Sequence, residues 1–188
     1  SLSGEVVCAY IHMGNKLATL AAFNKAGVDA QVYKDVAMQV AAMNPVALSK
    51  EDVPAAVVEN ELTVAVEKTK EELVSKAVDA ALKKAGINPA HVDSEDHIES
   101  NTAKGWLTPE QAQQARDIRA KVSVEAAANL KEQMVQNIAQ GRLNKFFKDS
   151  TLLNQEFIKD AKINVAQMMD AASKGLTCTG FKRYALKD

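Results

Sequence analysis

Two long runs of helical periodicity in the middle of the chain place the strongest constraint on its fold. In residues 55–85, and again from Thr108 to about Phe147, apolar side chains recur every three or four positions. Thr108 is a good cap, and it is followed by proline at the first helical position and glutamine at the third. As a single helix, the second run would reach ~60 Å at ~1.5 Å per residue. Because a small core cannot cover such a helix, we expect the two runs to pair as an antiparallel hairpin.

Strand-like patterns occur only towards the two ends of the chain. Residues 5–13 alternate between two faces, and residues 17–23 are apolar on both, which predicts a β-hairpin with a more buried second strand. Residues 152–159 and 176–186 also have strand character. We therefore expect the two ends of the chain to meet in one small sheet.

A helix with several small side chains on its apolar face is predicted over residues 35–45, beside that sheet. Its apolar face is formed by Val36, Ala37, Val40, Ala41 and Met43. Asn44 and Pro45 end the helix, because the residue before proline is disfavoured in helical geometry. Alanines allow close approach, so this helix is expected to pack on the sheet where the two ends meet.

Other helix signals set boundaries along the chain. Ser49 predicts a short helical turn, Asn164 predicts a capped helix closed near Gly175, and Gly86 predicts the end of the first long run. Thr69 resembles a cap, which would put a break or kink near residue 68.

These elements predict an α+β fold: a small antiparallel sheet with packed helices, interrupted by a long antiparallel helical hairpin of the coiled-coil type. The expected division is a discontinuous core of residues 1–56 and 149–188, with residues 57–148 as the inserted hairpin.

Composition excludes several functional classes. The net charge is −1, from 23 Lys and Arg against 24 Asp and Glu, so the chain lacks the basic field that non-specific nucleic-acid binding requires. No apolar run approaches the ~20 residues of a membrane span. Cys8 and Cys178 are expected to be reduced thiols in a cytoplasmic protein.

Signatures of catalysis are also missing from the sequence. It contains no glycine-rich phosphate loop and no Cys-x-x-Cys pair, and we predict no catalytic residue, cofactor or metal ligand. The acidic segment 91–99 could be read as a metal site, but it fits a solvated hairpin tip better. From pattern alone His12 could be a surface residue, a base or a partner contact. Trp106 could staple its loop to the following helix or anchor another chain.

Several motifs, in order, resemble the C-terminal half of the elongation factor Ts family, the nucleotide-exchange factors of elongation factor Tu. They are Tyr10-Ile-His-Met-Gly14, Asp35-Val-Ala-Met-Gln-Val-Ala-Ala42, Pro45, Glu51-Asp-Val53, Val57-Val-Glu59, Gly141-Arg-Leu-Asn-Lys-Phe146, Leu152-Leu-Asn-Gln-Glu-Phe157 and Thr179-Gly-Phe-Lys-Arg-Tyr184. They cover about the two outer thirds of the chain. The middle matches only in being helical and looks longer than the usual coiled coil of the family.

The resemblance implies elongation factor Tu as the partner and two segments that face it. One is the strand-turn motif His12, Met13, Gly14 and Asn15; the other is Phe157, Ile158 and Lys159. Lys159 stands where the family often has an apolar residue. Guanine-nucleotide exchange needs a shaped binding surface and no acid–base pair, which agrees with the missing catalytic signatures.

The resemblance also implies that these 188 residues are a piece of a longer factor. The family's N-terminal half carries a Thr-Asp-Phe element that intrudes beside the magnesium of the partner, and this sequence does not contain it. Exchange by the chain alone is therefore expected to be weak. The alternatives are a non-enzymatic coiled-coil scaffold or self-association module, homodimer formation included, and, less favoured, an enzyme that uses His12.

Overall fold

The computed structural model describes residues 1–12, 14 and 16–186. The strands are β1 (Val6–Ile11), β2 (Leu17–Phe23), β3 (Glu156–Phe157), β4 (Asp160–Asn164) and β5 (Cys178–Ala185). The α-helices are α1 (Ala30–Met43), α2 (Ala55–Lys84), α3 (Glu95–Ala103), α4 (Pro109–Ala128), α5 (Glu132–Ser150) and α6 (Val165–Ala172), with 3₁₀ turns at Lys50–Asp52 and Pro89–His91. The chain divides into two compact units, residues 1–61 with 143–188, and residues 62–142. The predicted boundaries at 56/57 and 148/149 remain a prediction.

A three-stranded antiparallel sheet, in the order β1-β2-β5, organises the first unit. Strands from both ends of the chain thus lie side by side, with Ala18 opposite Ile11 on one side and Tyr184 on the other. The second strand is the more buried of the predicted hairpin, as expected. The α+β class predicted from the sequence is confirmed.

Helix α1 packs on one face of this sheet. It begins at Ala30, five residues before the predicted start, because the Asp29 carboxylate accepts a hydrogen bond from the Gln31 amide and caps it. It ends as predicted, with Asn44 in the left-handed conformation before Pro45. The core that it covers consists of Ala21, Phe23, Tyr33, Val36, Ala37, Val40, Leu152, Phe157, Val165, Met168, Met169, Leu176 and Cys178.

The C-terminal part of the first unit differs from the strand predicted over residues 152–159. Only Glu156–Phe157 is a strand, and it pairs with β4 in a separate two-stranded sheet. Residues 152 and 153 instead donate their amides to the carbonyls of Ala47 and Leu48, which satisfies them without a sheet ladder. The predicted cap of α6 is confirmed as a reciprocal capping box between Asn164 and Gln167.

Helix α2 is continuous through the predicted kink, and its length fits the predicted helical hairpin. The Thr69 hydroxyl is buried and donates to the Ala65 carbonyl within the helix, so the residue caps nothing. Gly86, with φ 78°, ends the helix as predicted while the Ile87 amide bonds the Leu82 carbonyl.

The single helix predicted from Thr108 to Phe147 is wrong. The Thr108 capping box with Gln111 is present, but α4 stops at Ala128 and α5 begins at Glu132. At the break, the Asn129 side chain donates to the Glu125 carbonyl. Asparagine offers the backbone this local alternative to helix continuation, and periodicity alone does not reveal it.

The second unit has a hydrophobic core of its own, which includes four residues of the segment 87–107. Helix α3 lies in the acidic segment, capped by the Ser94 hydroxyl, which accepts from the His97 amide. The buried members are Leu82, Ile87, Val92, Ile98, Leu107, Ala112 and Ala115. The segment is thus an ordered helix with a buried face.

Candidate partner-binding site

The first candidate segment lies at the end of strand β1. The His12 amide donates to the Leu17 carbonyl at 2.8 Å, which closes the turn into β2. The half-buried imidazole has its Nδ1 3.2 Å from the Tyr10 hydroxyl, and the two rings are tilted by 58°. In the tautomer with the proton on Nε2, Nδ1 accepts from the phenol and Nε2–H stays available to a partner.

Only part of this segment can be described. Gly14 is exposed and has φ 84°, a backbone conformation that residues with a Cβ rarely adopt. Met13 and Asn15 lie outside the described residues.

The second candidate segment is the tip of the β3–β4 hairpin. Phe157 pairs with Asp160, so Ile158 and Lys159 form the two-residue turn between them. Phe157 is buried in the core of the first unit, whereas the Ile158 side chain is 41% exposed. The Lys159 ammonium lies 2.6 Å from the Asp35 carboxylate of α1. Of the three residues predicted to contact a partner, Ile158 is therefore the one that exposes an apolar side chain.

A buried pair of glutamines lies beneath this turn and was missed in the sequence. The Gln39 amide donates to the Glu156 carbonyl and accepts from the Ile158 amide, both at 3.0 Å. Gln155 donates to the Asp149 carbonyl at 3.0 Å. The one clue in the sequence was Gln39 itself, a long polar residue within an apolar run of α1. A polar side chain that is buried at such a position requires hydrogen-bond partners.

Helix α1 joins the two candidate segments through different residues. The Thr19 hydroxyl of β2 donates to the Ala37 carbonyl at 2.7 Å, and Thr19 pairs with Tyr10 of β1. Gln39 and Asp35 reach the hairpin turn from the same helix. Both segments are thus held on one helix of the first unit.

The second unit carries an exposed aromatic group of its own. Trp106 is 60% exposed, with the Lys104 ammonium 5.0 Å from its ring centroid and the His91 ring at 5.2 Å. Its backbone amide donates to the Asn101 carbonyl. The indole therefore lies on the surface beside two basic side chains.

Metal-ligating side chains, apolar helices and thiols are the other features of the described residues that bear on function. Within residues 1–12, 14 and 16–186, no group of three or more His, Cys, Asp and Glu side chains could hold a metal ion. No helix in this described part is long and apolar enough to cross a bilayer. Cys8 and Cys178 are both free thiols, and burial raises the pKa of Cys178 to about 11.

The fold and the candidate site define an α+β protein with a helical insertion, in which one helix of the first unit supports two exposed turns. The family model described as Elongation factor TS matches residues 1–188. The chain belongs to the elongation factor Ts family.

Relatives in three organisms agree with this assignment. The chain is 57% identical over 187 residues to elongation factor Ts of Bacteroides fragilis, and this alignment covers 99% of the chain and 56% of that protein. It is 56% identical over 188 residues to the Bacteroides thetaiotaomicron protein, covering all of the chain and 57% of the relative. For Porphyromonas gingivalis the identity is 35% over 185 residues, covering 98% of the chain and 47% of the relative. The chain thus spans about half the length of the relatives that it matches.

Proposed function

We propose that this chain binds elongation factor Tu and promotes the release of its bound guanine nucleotide. The observation that carries the proposal is the family match over all 188 residues. Exchange of this kind makes and breaks no covalent bond. A factor that binds the nucleotide-free partner more tightly weakens nucleotide binding by the same ratio, because the two equilibria are linked.

The two turns of the first unit suit such a role. The imidazole of His12 is a half-buried polar group at the end of a strand, and Ile158 is an exposed apolar side chain on a tethered turn. Side chains held on an ordered scaffold lose less conformational entropy on binding than mobile ones. We assign His12, Gly14 and Ile158 to the docking surface, with Met13 and Asn15 as neighbours in sequence.

Exchange by the 188 residues alone is expected to be slower than exchange by a full-length factor. The curated relatives are nearly twice as long, and the element that the family places beside magnesium does not occur in this sequence. Docking without that element leaves the magnesium and phosphate contacts of the partner in place.

Two measurements test the proposal. Size-exclusion chromatography with nucleotide-free elongation factor Tu should give a complex, and a fluorescent GDP analogue should leave Tu more slowly with this chain than with the full-length Bacteroides fragilis relative. His12→Ala should weaken the complex, while His97→Ala, an exposed histidine paired with Asp93 in the second unit, should not. Failure to form any complex would refute binding; release as fast as with the full-length relative would refute only the expectation of weak exchange.

The alternative is a non-enzymatic scaffold or self-association module that uses the second unit. The observation in its favour is the exposure of apolar groups there, with Trp106 at 60% and Val124 at 69%. Such groups anchor protein interfaces. If Trp106→Ala abolishes Tu binding or a concentration-dependent dimer seen by sedimentation, while His12→Ala has no effect, the alternative is correct.

A further inference from the structure

Gln39 lies in the middle of helix α1, is fully buried, and makes its two shortest hydrogen bonds to backbone groups of the β3–β4 hairpin tip. A longer one, at 3.4 Å, runs from its Nε2 to the Oε1 of Gln155. The same Nε2 donates to the Glu156 carbonyl and the Oε1 of Gln39 accepts from the Ile158 amide, both at 3.0 Å. These two groups are two residues apart on one strand edge. One side-chain amide thus supplies the donor and the acceptor that a neighbouring strand would supply.

The turn needs this outside support because its local geometry is not the favoured one. Two-residue hairpin turns are usually of types that require positive φ at one or both central residues. Among the described residues, Asn44 is the one non-glycine with positive φ, so neither Ile158 nor Lys159 adopts that conformation. The strand register also shifts between Glu156 and Phe157. Local sequence therefore leaves the turn weakly specified.

A second tether directs the side chains of the turn. The Lys159 ammonium bonds Asp35 at 2.6 Å, and the same carboxylate oxygen accepts from the Gln31 side-chain amide at 2.7 Å. The lysine charge is therefore already paired within the chain. Ile158 remains as the apolar side chain that the turn offers to another molecule.

We propose that Gln39 is a positioning residue for partner docking: it holds the turn in the conformation that presents Ile158 to an apolar recess of the partner. Gln39 itself does not touch the partner. The inference depends on the proposed function, because the partner is taken to be elongation factor Tu.

The test compares two variants that each remove buried hydrogen bonding around the same helix. Gln39→Leu deletes both bonds to the hairpin with little change in volume. Tyr33→Phe deletes the bond from the Tyr33 hydroxyl to the Lys25 carbonyl and is the matched control, since Tyr33 lies on the same helix, is 7% exposed and supports neither candidate segment. Both variants are used at a temperature at which circular dichroism shows them folded.

Amide hydrogen exchange is the first measurement, and it starts with the unaltered chain. The Ile158 amide should exchange as slowly as the Val165 amide, which bonds the Gln155 carbonyl. It should exchange far more slowly than the Lys162 amide of the exposed start of β4, which bonds the Asp160 carboxylate. In Gln39→Leu the Ile158 amide should exchange about tenfold or more faster, and in Tyr33→Phe it should not. Rapid exchange of Ile158 in the unaltered chain would overturn the inference even if Gln39→Leu does not fold.

Affinity for nucleotide-free elongation factor Tu is the second measurement. Gln39→Leu should weaken binding about tenfold and Tyr33→Phe less than twofold. Two results would overturn the inference while leaving the proposed function intact. One is an equal loss of affinity in the two variants; the other is faster exchange of the Ile158 amide in Gln39→Leu with unchanged affinity. If the unaltered chain does not bind Tu at all, the proposed function fails, and the docking role of Gln39 fails with it.

Discussion

The ammonium of Lys159 lies 2.6 Å from the Oδ1 of Asp35, although the two residues are 124 positions apart in sequence. The Asp35 side chain is only 11% exposed and that of Lys159 is 47% exposed. The carboxylate has thus lost most of its water, and it is balanced by the lysine and the Gln31 amide. The pair joins the hairpin turn to helix α1.

Replacing Lys159 with methionine should destabilise the fold. The nearly buried Asp35 carboxylate would keep one neutral donor, so we expect the free energy of unfolding in urea to fall by about 1 kcal/mol. Lys162→Met, an exposed lysine on the same hairpin, is the control and should stay within about 0.5 kcal/mol of the unaltered chain. Equal effects of the two substitutions would mean that the ion pair contributes nothing.

The two cysteines should react with an alkylating reagent at different rates. Burial raises the pKa of Cys178 to about 11, so at pH 8 only about one molecule in a thousand carries its thiolate. Burial also raises the pKa of the half-buried Cys8, with Lys34 opposing it. Mass spectrometry after brief alkylation at pH 8 should find label on Cys8 well before Cys178, and equal label in denaturant. Faster labelling of Cys178 in the folded chain would contradict its burial.

The same shift predicts a loss of stability at high pH. Because the folded-state pKa of Cys178 lies above the unfolded value near 9, the unfolded state loses its thiol proton first. The stability that the folded state gains from keeping this proton is complete below pH 9 and is lost as the pH rises towards 11. Cys178→Ser should flatten this part of the pH profile of the urea midpoint, and an unchanged slope would count against the shift.

Two glycines of the second unit should respond oppositely to alanine. Gly86 has φ 78°, so a Cβ there is strained even though no atom lies within 4 Å, and Gly86→Ala should destabilise by roughly 1–2 kcal/mol. Gly141 lies within helix α5, also with no atom within 4 Å, and Gly141→Ala should stabilise by about 0.5–1 kcal/mol. Thermal or urea unfolding of both variants distinguishes these signs; the same sign in both would refute the assigned helix end.

Local chemistry explains which parts of the fold the sequence predicts. The capped start at Thr108 and the stop at Gly86 follow from side chains acting on their own backbone. The break at Asn129 was not predicted, because the residues on both sides of it keep the same helical period. Helix α3 was missed for a different reason: the acids after Ser94 suggested a solvated loop, although acids in a first turn also favour a helix start.

The support of the candidate site could not be predicted because it is made of long-range contacts. The segment containing Ile158 follows from the family resemblance, but the side chains that hold it, Gln39 and Asp35, are more than a hundred positions away. Neither pattern nor propensity relates such distant residues. What the sequence does show is a buried-looking glutamine without an assigned partner, and the structure supplies that partner.

The contact between Tyr10 and His12 gives a further prediction for partner binding. Tyr10→Phe keeps the ring but removes the hydroxyl that lies 3.2 Å from the imidazole Nδ1, so the ring of His12 loses its orienting bond. We expect Tyr10→Phe to weaken binding to nucleotide-free elongation factor Tu about threefold to tenfold, the worth of one hydrogen bond, and His12→Ala to weaken it at least as much.

Tyr184→Phe is the control, because Tyr184 is 55% exposed and pairs with Ala18, so it lies on the opposite face of the sheet from Tyr10. In the double variant His12→Ala with Tyr10→Phe, the second substitution should add almost nothing, since the hydroxyl would act only through the imidazole. Additive losses in the double variant, or equal losses from Tyr10→Phe and Tyr184→Phe, would show that the Tyr10 hydroxyl does not orient His12 for docking.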